Sequence, residues 1–176
     1  MDAGGWGEAV SVLRINISNL SEGAHHRSLR ATPEEVGLDS RFKKDVTVEA
    51  TLEKTSRQLY LRAELKTGGA FTCDRCVEDF ECEVSTEYSV VYVTEDRAGV
   101  EGDGEVQVIS ADTNIIDLGE DVRQFTLLSL PQKLLCREDC AGLCPTCGTN
   151  WNRSKCDCAH GEVDSRWTAL QKLLKN

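Results

Sequence analysis

Nine cysteines are the residues of this chain whose type and spacing point to chemistry. Six of them fall in the 23 residues 136–158, as Cys136-Arg-Glu-Asp-Cys140-Ala-Gly-Leu-Cys144-Pro-Thr-Cys147-Gly and then Cys156-Asp-Cys158. Zinc takes four thiolate or imidazole ligands in a tetrahedron, and a Cys-Pro-x-Cys-Gly turn aims two sulfurs at one point while its glycine permits the backbone bend. A later pair closes such a site. Cys156 and Cys158 supply that pair at C-x2-C-x8-C-x-C spacing, so one structural zinc is expected on Cys144, Cys147, Cys156 and Cys158. Cys73-Asp-Arg-Cys76 is another C-x2-C, and one helical turn at Cys136 and Cys140 would put both sulfurs on one face. A second zinc on Cys73, Cys76, Cys136 and Cys140 would staple the first half of the chain to the C-terminal segment. A single zinc using other combinations of the six clustered cysteines, or no second metal, competes with that reading.

Other chemistries fit less well. A redox dithiol at Cys73 and Cys76 would sit in a βαβ setting, which the antiparallel pattern around it does not supply. A catalytic zinc keeps one position for water and commonly uses His or a carboxylate, whereas His25 and His26 lie far off in sequence and His160 is single. Phosphate-binding loops, dinucleotide fingerprints and nucleophile elbows are absent from the sequence. Cys82 alternates with Phe80 and Val84 and reads as a small core thiol.

The elements that must position these thiols read as strands first. Residues 11–18, 45–53 and 58–65 alternate apolar and polar side chains, the period of half-buried strands, and the last two form a hairpin across residues 54–57. Gly68-Gly69 reads as a second turn, ahead of Ala70-Phe-Thr-Cys73. Residues 80–93 give one long strand, or two broken by a bulge, and 106–109 and 114–118 are shorter candidates. At residues 119–130 the pattern turns helical, with Val122, Phe125 and Leu128 three apart, Glu120 and Asp121 favouring the start, and Pro131 as the stop. A terminal helix is expected over 164–175, with Trp167, Leu170, Leu173 and Leu174 on one side. The expected fold class is therefore α+β: a mainly antiparallel sheet with a C-terminal helix and a cysteine-rich zinc-binding module. The division is an antiparallel β-rich domain at 1–130 and a zinc module with its terminal helix at 131–176.

Charge and composition narrow the function. The 176 residues are 40% hydrophobic, enough to bury a core without disulfides, and an odd cysteine count without an export-like start MDAGGWGEAV suits a reducing, cytoplasmic setting. No apolar run is long enough to span a bilayer, so no membrane partner is expected. The net charge of −10 disfavours non-specific attraction to polyphosphate. That charge is unevenly spread: residues 1–92 carry −5, 93–123 carry −7 and 124–176 carry +2. The acidic, glycine-rich stretch 94–105 reads as a loop that cannot support its own ordering. RNA contact is thereby confined to segregated basic faces. The better candidate is the +2 C-terminal end, with Arg137, Arg153, Lys155 and Arg166 of the cysteine-rich module, where Trp151 can either stack on a base or cover the metal core; the other comprises Arg27, Arg30, Arg41, Lys43 and Lys44.

Three strings resemble the YceD family of bacterial and plastid proteins, known as large ribosomal RNA subunit accumulation proteins. They are Cys73-x-Arg75-Cys76 ahead of a strand containing Phe80; Ile116-Asp-Leu118 leading to a helix that ends in Leu130-Pro131; and Cys136-x3-Cys140-x-Gly-Leu-Cys144-Pro-x-Cys147-Gly-x-Asn150-x-Asn152-x3-Cys156-x-Cys158. The family's closing Asp-Pro-Arg stands here as Asp164-Ser165-Arg166, without the turn-favouring proline. The resemblance implies a role in the synthesis, processing or stability of 23S ribosomal RNA, and it carries over no catalytic residue. The leading expectation is a non-enzymatic ribosome biogenesis factor that binds large-subunit ribosomal RNA or a precursor particle, with zinc shaping its C-terminal surface. The alternative is a protein-interaction module whose acidic segment 94–121 engages a basic ribosomal protein. A zinc-dependent RNA-processing enzyme would need an open metal position that the spacing does not offer.

Overall fold

A computed structural model describes residues 12–94 and 105–158. Within them the chain forms β1 (Arg14–Asn16), β2 (Gly23–Ala31), β3 (Phe42–Lys54), β4 (Leu59–Thr72), β5 (Asp79–Thr94), β6 (Glu105–Ile109), β7 (Ile115–Asp117) and α1 (Gly119–Leu128). β2 to β6 lie in sequence order in one sheet; its pairings are antiparallel except β5–β6, which is parallel. β1 and β7 form a separate antiparallel pair.

The period-2 patterning explains which side is buried. Val46, Val48, Ala50 and Leu52 of β3 alternate with outward polar residues, and Leu59, Leu61, Ala63 and Leu65 of β4 follow suit. These side chains meet Leu13, Ile15, Ile116, Leu118 and Val122, so the β1–β7 pair and α1 cover one face of the sheet. Phe125 of α1 stacks on Tyr88 of β5, with ring centroids 4.6 Å apart. The helix start carries Glu120 and Asp121 as expected, but Leu128 is 76% exposed and Thr126 is buried in its place. A helix turns 3.6 residues at a time, so Val122 shares its face with Phe125 and Thr126, and three-residue steps drift off it by Leu128.

Residues 80–93 belong to a single long strand, the first of the two expected forms. One expectation about the sheet needs correction: Gly68-Gly69 is no turn, since both glycines lie inside β4, where Gly69 pairs with Phe42. A Cβ on Gly69 would collide with the backbone carbonyl of Arg41, which accepts the N–H of Ala70 at 2.9 Å. The glycine is there to let β3, irregular at Phe42 to Thr47, come against β4. β2 escaped the sequence reading because it is an edge strand with Gly23 to Arg30 all exposed or half-exposed, leaving little alternation to read. The terminal helix expected at 164–175, and most of the acidic stretch 94–105, lie outside the described residues.

Candidate metal centres

The turn joining β4 to β5 carries Cys73 and Cys76, and the coil after α1 carries the other six clustered cysteines. The sulfurs of Cys73, Cys76, Cys136 and Cys140 all lie within 4.8 Å of one another, and so do those of Cys144, Cys147, Cys156 and Cys158. Within the first group Cys73 and Cys140 are 3.8 Å apart and Cys76 and Cys136 3.7 Å. A tetrahedral ion with metal–sulfur bonds of about 2.3 Å spaces its ligands by roughly 3.8 Å, so the donor set fits a thiophilic tetrahedral metal. Disulfide bonds would require about 2 Å, and none of these cysteines is in a disulfide.

Both C-x2-C turns have the same backbone. In the first, the N–H of Val77 bonds the Cys73 carbonyl at 2.9 Å and the N–H of Cys73 bonds the Glu78 carbonyl at 2.9 Å. In the second, Gly148 bonds Cys144 at 2.9 Å and Cys144 bonds Thr149 at 2.8 Å. The residue after the second cysteine takes a left-handed φ in each, 57° at Val77 and 74° at Gly148. A β-branched side chain is strained there, and Val77 is the only non-glycine residue with positive φ among the described residues. The backbone N–H groups of Thr146 and Cys147 both point at the Cys144 sulfur, at 3.4 Å each, as donors to a thiolate should.

The turn at Cys73 is locked to the later segment by more than sulfur. Asp74 exchanges two hydrogen bonds with the backbone of Leu134, at 2.8 and 2.7 Å. Arg75 donates to the carbonyls of Glu138 and Cys140, while its own carbonyl accepts the N–H of Leu143. Phe80, Leu135 and Leu143 pack round the buried Cys73, Cys76 and Cys140, leaving Cys136 at the surface. The second group is more open, with Cys144 buried, Cys147 exposed and Cys156 and Cys158 half-buried.

Residues 150–152 link the groups, and spacing alone does not show it. Asn152 Nδ2 donates to the Cys140 sulfur of the first group at 3.3 Å, while Trp151 Nε1 donates to the Cys156 sulfur of the second at 3.4 Å. Asn152 Oδ1 accepts the N–H of Ala141 at 2.9 Å and the Arg137 guanidinium at 2.6 Å. The indole of Trp151 is thus turned to the sulfur cluster.

Protonation reflects four thiols crowded together. Burial works against ionising Cys73, but N–H donors at Cys136, Cys76 and Arg75 outweigh it and bring the thiol down to about 6. Burial, then the neighbouring thiols, push Cys136 up to about 12. In the second group the hydroxyl and N–H of Thr149 lower Cys147 to about 6, whereas Cys147 and burial raise Cys158 to about 12. Cys140 and Cys156 are lowered as well and Cys76 is raised, so in each group two thiolates form more readily than a free thiol and further ionisation is resisted, a penalty that a bound divalent cation removes.

Of the cations expected to face RNA, Arg137 pairs with Asp139 at 3.3 Å as well as Asn152, and Arg153 pairs with Glu78 at 2.6 Å. Lys155 is exposed, and Arg166 lies outside the described residues. Cys82 is half-buried against the main core and belongs to neither sulfur group.

A family model described as "Large ribosomal RNA subunit accumulation protein YceD" matches residues 61–174, which include all eight clustered cysteines. An uncharacterised protein of Mycobacterium tuberculosis is 26% identical over 149 residues, covering 85% of this chain and 70% of that one. The uncharacterised protein YlbN of Bacillus subtilis is 29% identical over 141 residues, 78% of each chain. The chloroplastic large ribosomal RNA subunit accumulation protein YCED homolog 1 of Arabidopsis thaliana is 34% identical over 58 residues, 33% of this chain and 18% of that one. No solved structure matches significantly.

Proposed function

Because the chain belongs to the YceD family of large ribosomal RNA subunit accumulation proteins, we propose that it is a non-enzymatic factor that binds 23S ribosomal RNA or its precursor particle in the cytoplasm and sustains its accumulation. Two structural zinc ions hold it in shape, one on Cys73, Cys76, Cys136 and Cys140, the other on Cys144, Cys147, Cys156 and Cys158. The observation that carries the zinc assignment is the pair of four-sulfur groups, each with its sulfurs within 4.8 Å of one another, and in the first group 3.7 and 3.8 Å apart as tetrahedral ligands are. Four thiolates satisfy zinc completely, which favours structural over catalytic use. The first ion ties the β4–β5 turn to the coil beyond α1, bridging the expected boundary at 130/131.

What zinc supplies is rigidity. The segment 131–158 carries few buried apolar side chains, so its conformation depends on thiolate ligation and on the hydrogen bonds of Asp74, Arg75 and Asn152. In cells depleted of the protein, 23S ribosomal RNA should fall relative to 16S. Re-expression of the unaltered chain should restore it, while a Cys73→Ser, Cys144→Ser double variant should not. Unchanged 23S levels on depletion would overturn the reading.

A further inference from the structure

The sheet face opposite α1 carries an open groove of about 740 Å³ across β2 to β5, and its cations are Arg30, Lys43, Lys44 and Lys66. Arg30 pairs with Asp45 at 2.9 Å and Lys44 with Glu83 at 2.8 Å, while Lys43 and Lys66 are exposed and have no ion pair among the described residues. In the C-terminal module, by contrast, Arg137 and Arg153 are held by carboxylates. In a chain of charge −10, a groove with four cations to two carboxylates is a segregated basic surface.

Strand register gives the groove direction. Arg30, Thr47, Lys66 and Ser85 lie directly opposite one another on β2, β3, β4 and β5, forming one outward row. The next outward row reads Ser28, Glu49, Glu64 and Glu87, three carboxylates in line, of which Glu87 is paired with Arg62 at 2.6 Å and Glu49 accepts the Ser28 hydroxyl at 2.7 Å. Strands are spaced about 4.8 Å apart, so Arg30 and Lys66 stand roughly 10 Å apart, with the Thr47 hydroxyl between them. The Thr47 hydroxyl donates to the Lys66 carbonyl at 3.2 Å, which leaves Lys66, Arg30 and Ser85 as donors that phosphate oxygens accept, while the carboxylates of Glu49 and Glu64 alongside repel a polyanion from one side and keep it in the row.

We propose that this groove holds the phosphate backbone of single-stranded RNA. It rests on the RNA reading above and names the surface: the sheet, rather than the cysteine-rich module, makes the backbone contact. The groove's cations and hydroxyls suit phosphate oxygens rather than base edges, so binding there is sequence-independent.

The test uses the full, metal-loaded chain with a labelled uridine homopolymer and a large-subunit ribosomal RNA fragment, with affinity measured by anisotropy between 50 and 200 mM salt. Each phosphate contact on a single strand contributes about −0.7 to the log–log salt slope. Lys43→Ala with Lys66→Ala should therefore reduce the slope by about 1.4 and weaken binding about tenfold at 50 mM salt, with unchanged melting temperature. Glu64→Gln should strengthen binding, and Lys155→Ala should leave the slope as it is. The assignment is overturned if the lysine pair has no effect, if the Lys155 variant alone removes binding, if polyglutamate displaces RNA as well as RNA does, or if the unaltered chain binds no RNA. In the last case the accumulation role can still hold through a protein partner, and 23S levels in depleted cells distinguish the two failures.

Discussion

Replacing Asn152 should weaken the metal centre that is remote from it in sequence and spare the one that surrounds it. Asn152 lies between Cys147 and Cys156, both of the second group, yet its amide donates to Cys140 of the first at 3.3 Å. Its Oδ1 also fixes the N–H of Ala141, next to that cysteine. In Asn152→Ala the thiolate loses a donor and Ala141 loses its acceptor. A hydrogen bond to a charged group contributes about 1.5–3 kcal/mol, and the half-buried position lets water recover part of the second loss. The expected deficit is about 1.5–3 kcal/mol, or roughly ten- to a hundredfold in affinity at one site, the range usual for groups that orient metal ligands. Native mass spectrometry during stepwise chelation reads it directly: the variant should lose its first ion at a lower chelator concentration and its second at the unaltered one. Trp151→Phe should do the converse, acting through Cys156. If Asn152→Ala loosens the ion held by Cys144 and leaves the other tight, the hydrogen-bond argument is wrong.

Two further outcomes concern the scaffold. Gly69→Ala forces a side chain against the Arg41 carbonyl and opens the β3–β4 contact; a cost of about 2–4 kcal/mol, or ~5–15 °C in thermal melting, is expected, and an unchanged melting temperature would contradict the close approach. Asp121 has its carboxyl pKa raised by burial, and by Glu105, Glu120 and Asp117, with Gln107 opposing. The folded state then takes up a proton more readily than the unfolded chain, so this group's contribution to stability is lost as pH rises through the folded value. Asp121→Asn should accordingly melt higher than the unaltered chain at pH 7 and lose that advantage near pH 4; an advantage that persists at pH 4 would point to another cause.

How far the chain could be read depends on how local each signal is. β3, β4 and β5 were legible because one buried and one solvated face imprint a two-residue period, and α1 because acidic residues open it and Pro131 follows it. β2 was not, since only Leu29 and Ala31 of this edge strand pack on the core while Arg27 and His25 share their side, which leaves little alternation. Gly68-Gly69 was misread because the same residue permits a turn and a close backbone approach, and only the tertiary position of Arg41 decides between them. Paired cysteine spacing, Cys-x2-Cys twice with Cys136-x3-Cys140 and Cys156-x-Cys158, makes both four-sulfur sets legible. The turn at Cys73 hides its likeness to the one at Cys144 by lacking Pro and Gly, with Val77 accepting the left-handed φ instead. The roles of Asn152 and Trp151 were invisible, because bonds from a side chain to a sulfur five or twelve residues away leave no periodic trace. Arg30, Lys43 and Lys44 of the sheet groove stood out only as basic residues; the alignment of Arg30 with Lys66 and Ser85 comes from strand register.

The central claim, two separate four-thiolate zinc centres, is tested most directly by elemental analysis of the purified chain beside its Cys73→Ser and Cys144→Ser variants. A tetrahedral site missing one thiolate binds far more weakly, so two zinc ions per unaltered chain and one in each variant are expected. A full complement of two in Cys73→Ser, or no more than one in the unaltered chain, would contradict it.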